Sequence, residues 1–307
     1  MTDFFKSRLF LISLLVVIIA ATLPLYVSGY VLGLLTVAYY FGVFAMAWDL
    51  LFGFAGEVNF GPTFLIGVGA YTAGIVNNQY GLSVYVCLLG ALAAVVAGLV
   101  LALPALRVRG PYFGLTTLVA VLMLQNFVVV FADLTGGEIG LTIPDVITIN
   151  ASANYWIALG FMIISAAILY GLSQSPLGLV LQASGQDPVQ AGALGFNIVK
   201  HKLFAFVVSA FFSGLSGALL VFYFGTASVG TVVDVAVGVN VIVAAVLGGR
   251  RTVLGAALGA IFLIVAGEFL RPTGELATFI VSFVALLVVL FLPGGFLGAA
   301  LSREARS

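Results

Sequence analysis

Charged residues are scarce in this chain of 307 residues. It has eleven lysines and arginines and eleven acidic residues, so 7% of its positions carry a charge, whereas a soluble domain usually has about 25%. Apolar residues make up 63% of the sequence. A soluble globular fold is therefore excluded. Because the formal net charge is zero, no basic surface remains for nucleic acid, and a nucleic-acid binder is excluded as well.

Residue types that build metal and nucleotide sites are almost missing. Cys87 is the only cysteine, which excludes a disulfide framework and a cysteine metal cluster. His201 is the only histidine, so paired-histidine zinc sites are excluded too. The three lysines, Lys6, Lys200 and Lys202, do not follow a Walker A pattern. We therefore expect no metal and no cofactor on this chain, and ATP would have to bind a separate protein.

Long uncharged runs dominate the sequence. Between Arg8 and Asp49 lie 40 uncharged residues, and between Glu57 and Arg107 lie 49, so each run holds two helices of about 20 residues across a bilayer. Turn residues divide the two runs, at 24–30 and at 77–81. Later spans are expected at about 112–132, 154–173, 203–224, 232–248, 253–269 and 276–292. The sequence therefore predicts an all-α polytopic membrane protein with about ten transmembrane helices, in one domain that covers residues 1–307.

The basic residues indicate the orientation, because cations stay preferentially on the cytoplasmic side of a membrane. With the N-terminus inside and ten crossings, all basic residues except Arg271 lie in the cytoplasm. Glu268 and Glu275, three and four residues away, would largely neutralise Arg271. We therefore expect both termini in the cytoplasm. Five spans before and five after the long external loop would be compatible with an inverted repeat.

The external loop, about residues 133–153, is too long for a simple turn. It carries Asp133, Glu138 and Asp145 without a cation, and its Thr135-Gly136-Gly137 turn suggests an ordered structure. Such an acidic face either meets an external partner or is a solvated loop without one.

The inner loop, about residues 174–202, is the most polar stretch of the chain. Asp187 followed by Pro188 is typical of a helix start, and Gly195 of the end of a short helix. A short cytoplasmic helix between two spans suits the docking of a partner, and the alternative is a connector without one. The residues assigned to this docking site are Asp187, Ala191, Gly192, Gly195, Lys200 and Lys202.

A glycine-rich segment from Gly53 to Pro62 interrupts the chain between the second and third spans, and it leaves the third span short, at 63–76. Broken backbone at membrane depth is tolerated where it is buried in protein or lines an aqueous cavity, and an acid there needs a partner or a function. The candidate pathway residues are Asp49, Gly53, Gly56, Glu57, Asn59 and Gly61. An ordinary cytoplasmic turn is the alternative, with Asp49 at the membrane interface.

Several motifs follow one another in a recognisable order along nearly the whole chain. They are Ala47-Trp48-Asp49-Leu50-Leu51-Phe52-Gly53-Phe54-Ala55-Gly56, Asn59-Phe60-Gly61, Gly67-Val68-Gly69-Ala70-Tyr71-Thr72, Leu106-Arg107-Val108-Arg109-Gly110-Pro111-Tyr112-Phe113, Thr135-Gly136-Gly137, Ala191 to Asn197, and Leu247-Gly248-Gly249-Arg250. In order and spacing they resemble the LivH/LivM permeases of branched-chain amino acid ABC importers. The segment that ends in Tyr112-Phe113 is closer to the LivM branch.

Four positions depart from the residues that this family often has: Asp49, Glu57, Pro62 and Arg251. They cluster at the presumed pathway. Urea and short-amide importers share the same signature, so the resemblance leaves the transported solute open between these classes.

The resemblance implies a permease in a prokaryotic plasma membrane that works with a second, LivH-like permease, two cytoplasmic ATPases that bind the ATP, and an external solute-binding protein. Its expected substrates are branched-chain amino acids or a related small polar solute. Two other functions stay open. One is an ion-coupled secondary carrier in which Asp49 or Glu57 binds a proton or sodium ion, and the other is a structural membrane subunit.

Overall fold

The computed structural model describes residues 17–105, 112–274, 276–291 and 294–296. Within them, residues 17–22 are helical, and eleven further helices of six or more residues are numbered in chain order. Their bounds are α1 Gly29–Asp49, α2 Pro62–Tyr80, α3 Cys87–Ala105, α4 Tyr112–Val130, α5 Ala151–Gln174, α6 Pro176–Gln186, α7 Pro188–Ala193, α8 Ile198–Phe224, α9 Val235–Gly248, α10 Leu254–Leu270 and α11 Leu276–Phe291. Two short strands are β1 Leu141–Thr142 and β2 Thr226–Ala227. Single helical turns lie at Leu23–Leu25, Val84–Val86, Ala132–Thr135, Val229–Val232 and Arg271–Thr273.

Seven helical segments in the described part of the chain are long and apolar enough to cross a membrane. They are Gly29–Phe54, Val84–Pro104, Tyr112–Val130, Ala151–Gln174, Ile198–Phe224, Val229–Gly248 and Leu254–Thr273. The mostly helical membrane architecture predicted from the sequence is thereby confirmed. The first predicted span lies mostly outside the described residues, and α11 has 16 residues.

The helix α2 is longer than the predicted span of 63–76. It continues to Tyr80, and Gly81 ends it in the left-handed conformation at φ +63°. The polar residues near its end do not break the helix, because their side chains find partners: Asn77 Nδ2 donates to Asp145 Oδ2 at 3.0 Å. The prediction relied on polar composition alone and therefore ended this helix too early.

The core is built around α1 and α8, whose side chains are the most thoroughly buried. Small residues let the helices approach closely, as membrane helices often do. A Cβ atom at Gly69 of α2 would lie 2.5 Å from the Cα atom of Gly214 in α8, so only glycine fits there. Ser209, Ser213 and Gly217, spaced by four residues on α8, are all buried.

The 133–153 loop is ordered, as predicted. Strand β1 pairs antiparallel with β2, which follows α8. The buried Thr135 hydroxyl donates to the carbonyl oxygen of Val128 at 2.6 Å, and both Gly136 and Gly137 have positive φ angles. The loop is therefore fixed at both ends of its glycine turn.

The 174–202 loop contains two helices where the sequence predicts one. The predicted helix is α7, and its cap is confirmed because Asp187 Oδ1 accepts hydrogen bonds from the amides of Val189 (2.9 Å) and Gln190 (3.0 Å). The additional helix is α6, which begins with the same kind of signal, Ser175 followed by Pro176.

Candidate functional site

The broken segment, residues 55–61, joins α1 to α2. After Asp49 the helix widens into a π-helical turn, Leu50–Phe54, and α2 starts at Pro62. Gly56 has a φ of +73°, a conformation that favours glycine. The predicted interruption between two spans is therefore present, and it coincides with the glycines that predicted it.

Asp49 lies at the end of α1, and its side chain is buried, at 1% exposure. Its two carboxylate oxygens accept hydrogen bonds from backbone amides of the link between α9 and α10. Oδ1 accepts from the amide of Arg251 at 3.0 Å, and Oδ2 accepts from the amide of Val253 at 3.1 Å. Asp49 thus connects this link to α1 by two hydrogen bonds.

The link itself, residues 249–253, has an unusual backbone. Arg251 (φ +65°) and Val253 (φ +47°) both lie in the left-handed region, which is costly for a β-branched residue such as valine. Arg251 Nε also donates to the carbonyl oxygen of Gly53 at 2.8 Å. A side chain at Gly53 would collide with the Asp49 carboxylate, so Gly53 is required by this packing.

Arg250 is part of the same link. Its guanidinium group stands 4.6 Å from the centre of the Phe52 ring, a cation–π contact. Burial lowers the pKa of Arg250 below its ordinary value, and the neighbouring Arg251 lowers it further, while Asp49 acts in the opposite direction.

Asn59 and Gly61 hold the other end of the broken segment. Asn59 is buried, and its Oδ1 accepts from the amide of Gly61 at 2.8 Å, while its carbonyl oxygen accepts from Trp48 Nε1 at 2.6 Å. The amide of Phe60 donates to Thr117 Oγ1 of α4 at 3.0 Å. A Cβ atom at Gly61 would overlap the backbone of Thr117, so this end is packed tightly on α4.

The beginning of the broken segment and Phe54 before it lie against α6. A Cβ atom at Gly56 would lie 2.9 Å from both the Cα and the carbonyl oxygen of Gly185, and one at Gly185 would lie 2.6 Å from the carbonyl oxygen of Phe54. The two backbones are therefore in direct contact, without side chains between them.

Glu57 connects the broken segment with the start of α8. Its Oε1 forms an ion pair with Lys202 Nζ at 2.5 Å, and the two side chains are 18% and 13% exposed. Asn197 caps α8 by accepting from the amide of Lys200 at 3.0 Å. The pair thus joins a residue predicted for the pathway to one predicted for docking.

The outer surface of α7 and the residues after it are apolar and exposed. Val189 is 77% exposed and Leu194 is 75% exposed, with Phe196 and Val199 also exposed nearby. Ala191, in contrast, is buried, so its side chain packs within this chain. Gly192 is exposed, and a Cβ atom there would make only an ordinary contact of 3.5 Å with Ile198.

The predicted pathway residues therefore fall into three groups. Asp49 and Gly53 contact the 249–253 link, and Gly56 and Glu57 contact the 174–202 loop. Gly61 packs against α4, while Asn59 bonds to Gly61 and to Trp48 of α1. Sequence reasoning missed the partners Gly185, Thr117 and Val253. No local signal marks them, because each acts through its position opposite a distant residue.

At the opposite end of α10, Arg271 and Glu268 form the predicted pair. Arg271 Nη1 lies 3.2 Å from Glu268 Oε1 and 3.4 Å from the hydroxyl of Tyr30 at the start of α1. Glu275, the other predicted neighbour, lies outside the described residues.

These features define a class: a multi-pass helical membrane protein with one interrupted span held against a long helical loop. A family model described as a branched-chain amino acid transport system permease component matches residues 30–293. The chain therefore belongs to this family of permease components. It is a transport subunit and not an enzyme, and it resides as a multi-pass protein in the prokaryotic plasma membrane.

Curated relatives agree with this assignment. The chain is 28% identical to the high-affinity branched-chain amino acid permease LivM of Salmonella typhimurium, over 95% of this chain and 75% of the relative. It is 27% identical to BraD of Pseudomonas aeruginosa, over 86% and 93%. A LivH permease of Salmonella typhimurium matches at 28% identity over 58% of this chain and 60% of its own. No solved structure matches significantly.

Proposed function

We propose that this chain is the LivM-type permease subunit of an ATP-driven importer of branched-chain amino acids. Its relatives are named for that transport, and the match to both LivM and LivH permeases supports a complex with a second, LivH-like permease. Two ATPases on the cytoplasmic side bind and hydrolyse the ATP. An external solute-binding protein delivers the substrate. The chain itself crosses the membrane about ten times with both termini in the cytoplasm.

One observation supports coupling between ATP hydrolysis and transport more than any other. The 174–202 loop contacts the broken segment twice, through the backbones of Gly56 and Gly185 and through the ion pair of Glu57 and Lys202. A motor that moves this loop would therefore also move the interrupted span.

The exposed apolar side chains around α7 support this loop as the place where the ATPase docks. Val189 and Leu194 are large apolar side chains that are exposed close together. Soluble proteins rarely expose apolar patches, and such patches mark sites of protein contact. We infer that they enter a groove of the ATPase, with Lys200 at the rim. The Asp187 cap keeps α7 rigid, so the contact transmits force.

The secondary-carrier alternative is less well supported by the geometry. A carrier would use Asp49 or Glu57 to bind a proton or sodium ion. The Asp49 oxygens already accept hydrogen bonds from two backbone amides, and Glu57 already forms an ion pair with Lys202. Urea or short amides as substrates remain a second candidate, because Glu57 stands where the family often has an uncharged residue.

Reconstitution tests the proposed function. Vesicles that contain this chain, its sister permease and the ATPases should import leucine, isoleucine and valine only with internal ATP and external binding protein. Import by this chain alone along a proton or sodium gradient would establish the carrier instead. Import of urea or short amides, without amino acids, would assign the other importer class.

The coupling role of α7 gives a separate prediction. Gly195 has a φ of +89°, and no atom lies within 4 Å of a Cβ placed there, so Gly195→Val adds backbone strain of about 1–2 kcal/mol without a clash. We expect at least a severalfold loss of uptake and of binding-protein-stimulated ATP hydrolysis, with normal amounts of permease in the membrane.

The matched control is Gly81→Val. Gly81 also has a positive φ and open space around its Cβ position, but it ends α2, outside the 174–202 loop. The same strain at this distant site should leave uptake close to wild type. Equal losses in both variants would mean that general destabilisation, and not the position of α7, explains the effect.

A further inference from the structure

The link between α9 and α10, residues 249–253, contains a strained turn at a buried residue. Val253 has a φ of +47° and a ψ of −64°, and the amide of Leu254 donates to the carbonyl oxygen of Thr252 across it. This is the form of γ-turn with a positive φ, which is rare and strained, and a β-branched side chain adds to the strain. Val253 is 0% exposed. The strained residue is therefore held inside the protein and does not belong to a loose surface loop.

Glycine would relieve this strain, and the chain has glycine at comparable places. Among the described residues, ten glycines have a positive φ, and Arg251 and Val253 are the only residues of other types that do. Gly249, in the same link, is one of the ten. A tight turn by itself therefore does not require a valine at position 253. Strained residues of this kind cluster at functional sites, switch regions included.

The Asp49 carboxylate holds the strained link in place. Its two oxygens accept hydrogen bonds from the amides of the two strained residues, Arg251 at 3.0 Å and Val253 at 3.1 Å. The strain of two such residues and two buried hydrogen bonds to a carboxylate are of the same order in free energy. Breaking the two bonds would therefore release strain that offsets much of their loss. Two arrangements of similar free energy are what a conformational switch requires.

The end of α1 that holds this link also lies against the 174–202 loop. Gly53 and Phe54 are neighbours in the π-helical turn after Asp49, and such turns are frequent at functional sites. The carbonyl oxygen of Gly53 accepts from Arg251 Nε at 2.8 Å, and that of Phe54 lies against Gly185 of α6. Adjacent residues therefore contact the strained link on one side and the 174–202 loop on the other.

We propose that Asp49 and the 249–253 link form a conformational latch, which is closed in this structure and opens in each transport cycle. On opening, the amides of Arg251 and Val253 leave the carboxylate, and the backbone of Val253 relaxes to a negative φ. The released strain lowers the free-energy cost of opening. The latch rests on the proposed ATP-driven transport for its trigger, the movement of the 174–202 loop, and it is independent of which solute is imported.

Two substitutions of Val253 separate the strain from the side chain. Val253→Gly and Val253→Ala both remove the branched side chain, but only glycine adopts a positive φ without a penalty. Val253→Gly should therefore favour the closed latch. We expect uptake and binding-protein-stimulated ATP hydrolysis at least about fivefold below those of Val253→Ala, at equal amounts of inserted permease. If Val253→Gly transports as well as Val253→Ala or better, the strain serves only to close the turn and the latch is overturned.

Thiol reactivity measures the opening directly. Cys87 is the only cysteine and is buried, so Cys87→Ala provides a cysteine-free background. In the assembled transporter in nanodiscs, Val253→Cys should react with a water-soluble maleimide at least about fivefold faster with ATP and binding protein than without nucleotide. The reason is that an open state populated to at most about 10% at rest then occupies a large share of the cycle. Ala256→Cys, which is equally buried one turn into α10, should react slowly in both conditions.

The outcomes distinguish the latch from the proposed function. An unchanged rate at position 253 in a complex that hydrolyses ATP would overturn the latch, and so would an equal acceleration at position 256, because general loosening would explain both. A wild-type complex without ATP-driven uptake would refute the proposed function instead. Asp49→Ala then still tests the latch, since loss of the acceptor should accelerate the reaction of Val253→Cys without ATP. A slow reaction in that variant would overturn it.

Discussion

Replacing Asp49 with alanine is expected to lower the apparent melting temperature of the purified protein by about 10 °C. The substitution leaves the amides of Arg251 and Val253 without an acceptor in a buried place. Each unsatisfied amide costs about 1–3 kcal/mol. The left-handed conformation of Val253 would also lose the contact that holds it.

The comparison with two other variants isolates the role of the carboxylate. Asp49→Asn keeps one acceptor oxygen but turns a donor towards the second amide. Its melting temperature should therefore fall by an intermediate amount. Thr36→Ala removes a buried hydroxyl of the same helix that bonds only to its own helix, at the Leu32 carbonyl, and it should change the melting temperature little. A melting temperature of Asp49→Ala equal to that of Thr36→Ala would contradict the anchoring role.

Reversing one charge of the Glu57–Lys202 pair is expected to reduce ATP-driven uptake by about tenfold or more. Glu57→Lys puts two cations together in a largely buried place, and Lys202→Glu puts two anions there. Either repulsion should push the broken segment away from α8. Uptake and ATP hydrolysis are measured in reconstituted vesicles, alongside the amount of inserted permease.

The double variants show whether the pair acts as a unit. Glu57→Lys with Lys202→Glu should recover most of the uptake, because the attraction is restored. Glu57→Gln with Lys202→Gln removes both charges and should be close to wild type, since a neutral pair leaves no buried charge alone. The opposite outcome is a loss of uptake in the swapped double variant that equals the summed losses of the two single variants. That result would mean that the ion pair does not hold the two elements together.

The membrane architecture followed from the sequence because it depends on local composition. Long apolar runs, a glycine-rich interruption at 53–62 and an aspartate before Pro188 each carry their own signal. The end of α2 was misplaced because Asn77 finds its partner, Asp145, far away in the sequence. Sequence patterns report what a residue prefers, but not which distant group will satisfy it.

The residues of the broken segment could be singled out from the sequence, but their contacts with distant parts of the chain could not. Gly56, Glu57 and Lys202 were all singled out, yet nothing in the sequence indicated that Glu57 and Lys202 would pair across 145 positions. Asp49 was predicted either for the pathway or for the membrane interface, and the sequence did not indicate that its side chain would bond to the link at Arg251. Such long-range contacts depend on helix packing, which one sequence does not reveal.

The pairing of β1 with β2 has a consequence for how the transporter opens. The two strands belong to loops on the same side of the chain, one after α4 and the other after α8, and they are joined across 84 to 86 positions of sequence. The amide of Ile143 adds a further bond to the Gly225 carbonyl at 2.9 Å. These hydrogen bonds connect the first half of the chain to the second half on that side. Because these backbone hydrogen bonds connect the two loops, the two halves of this chain cannot separate on that side without breaking them.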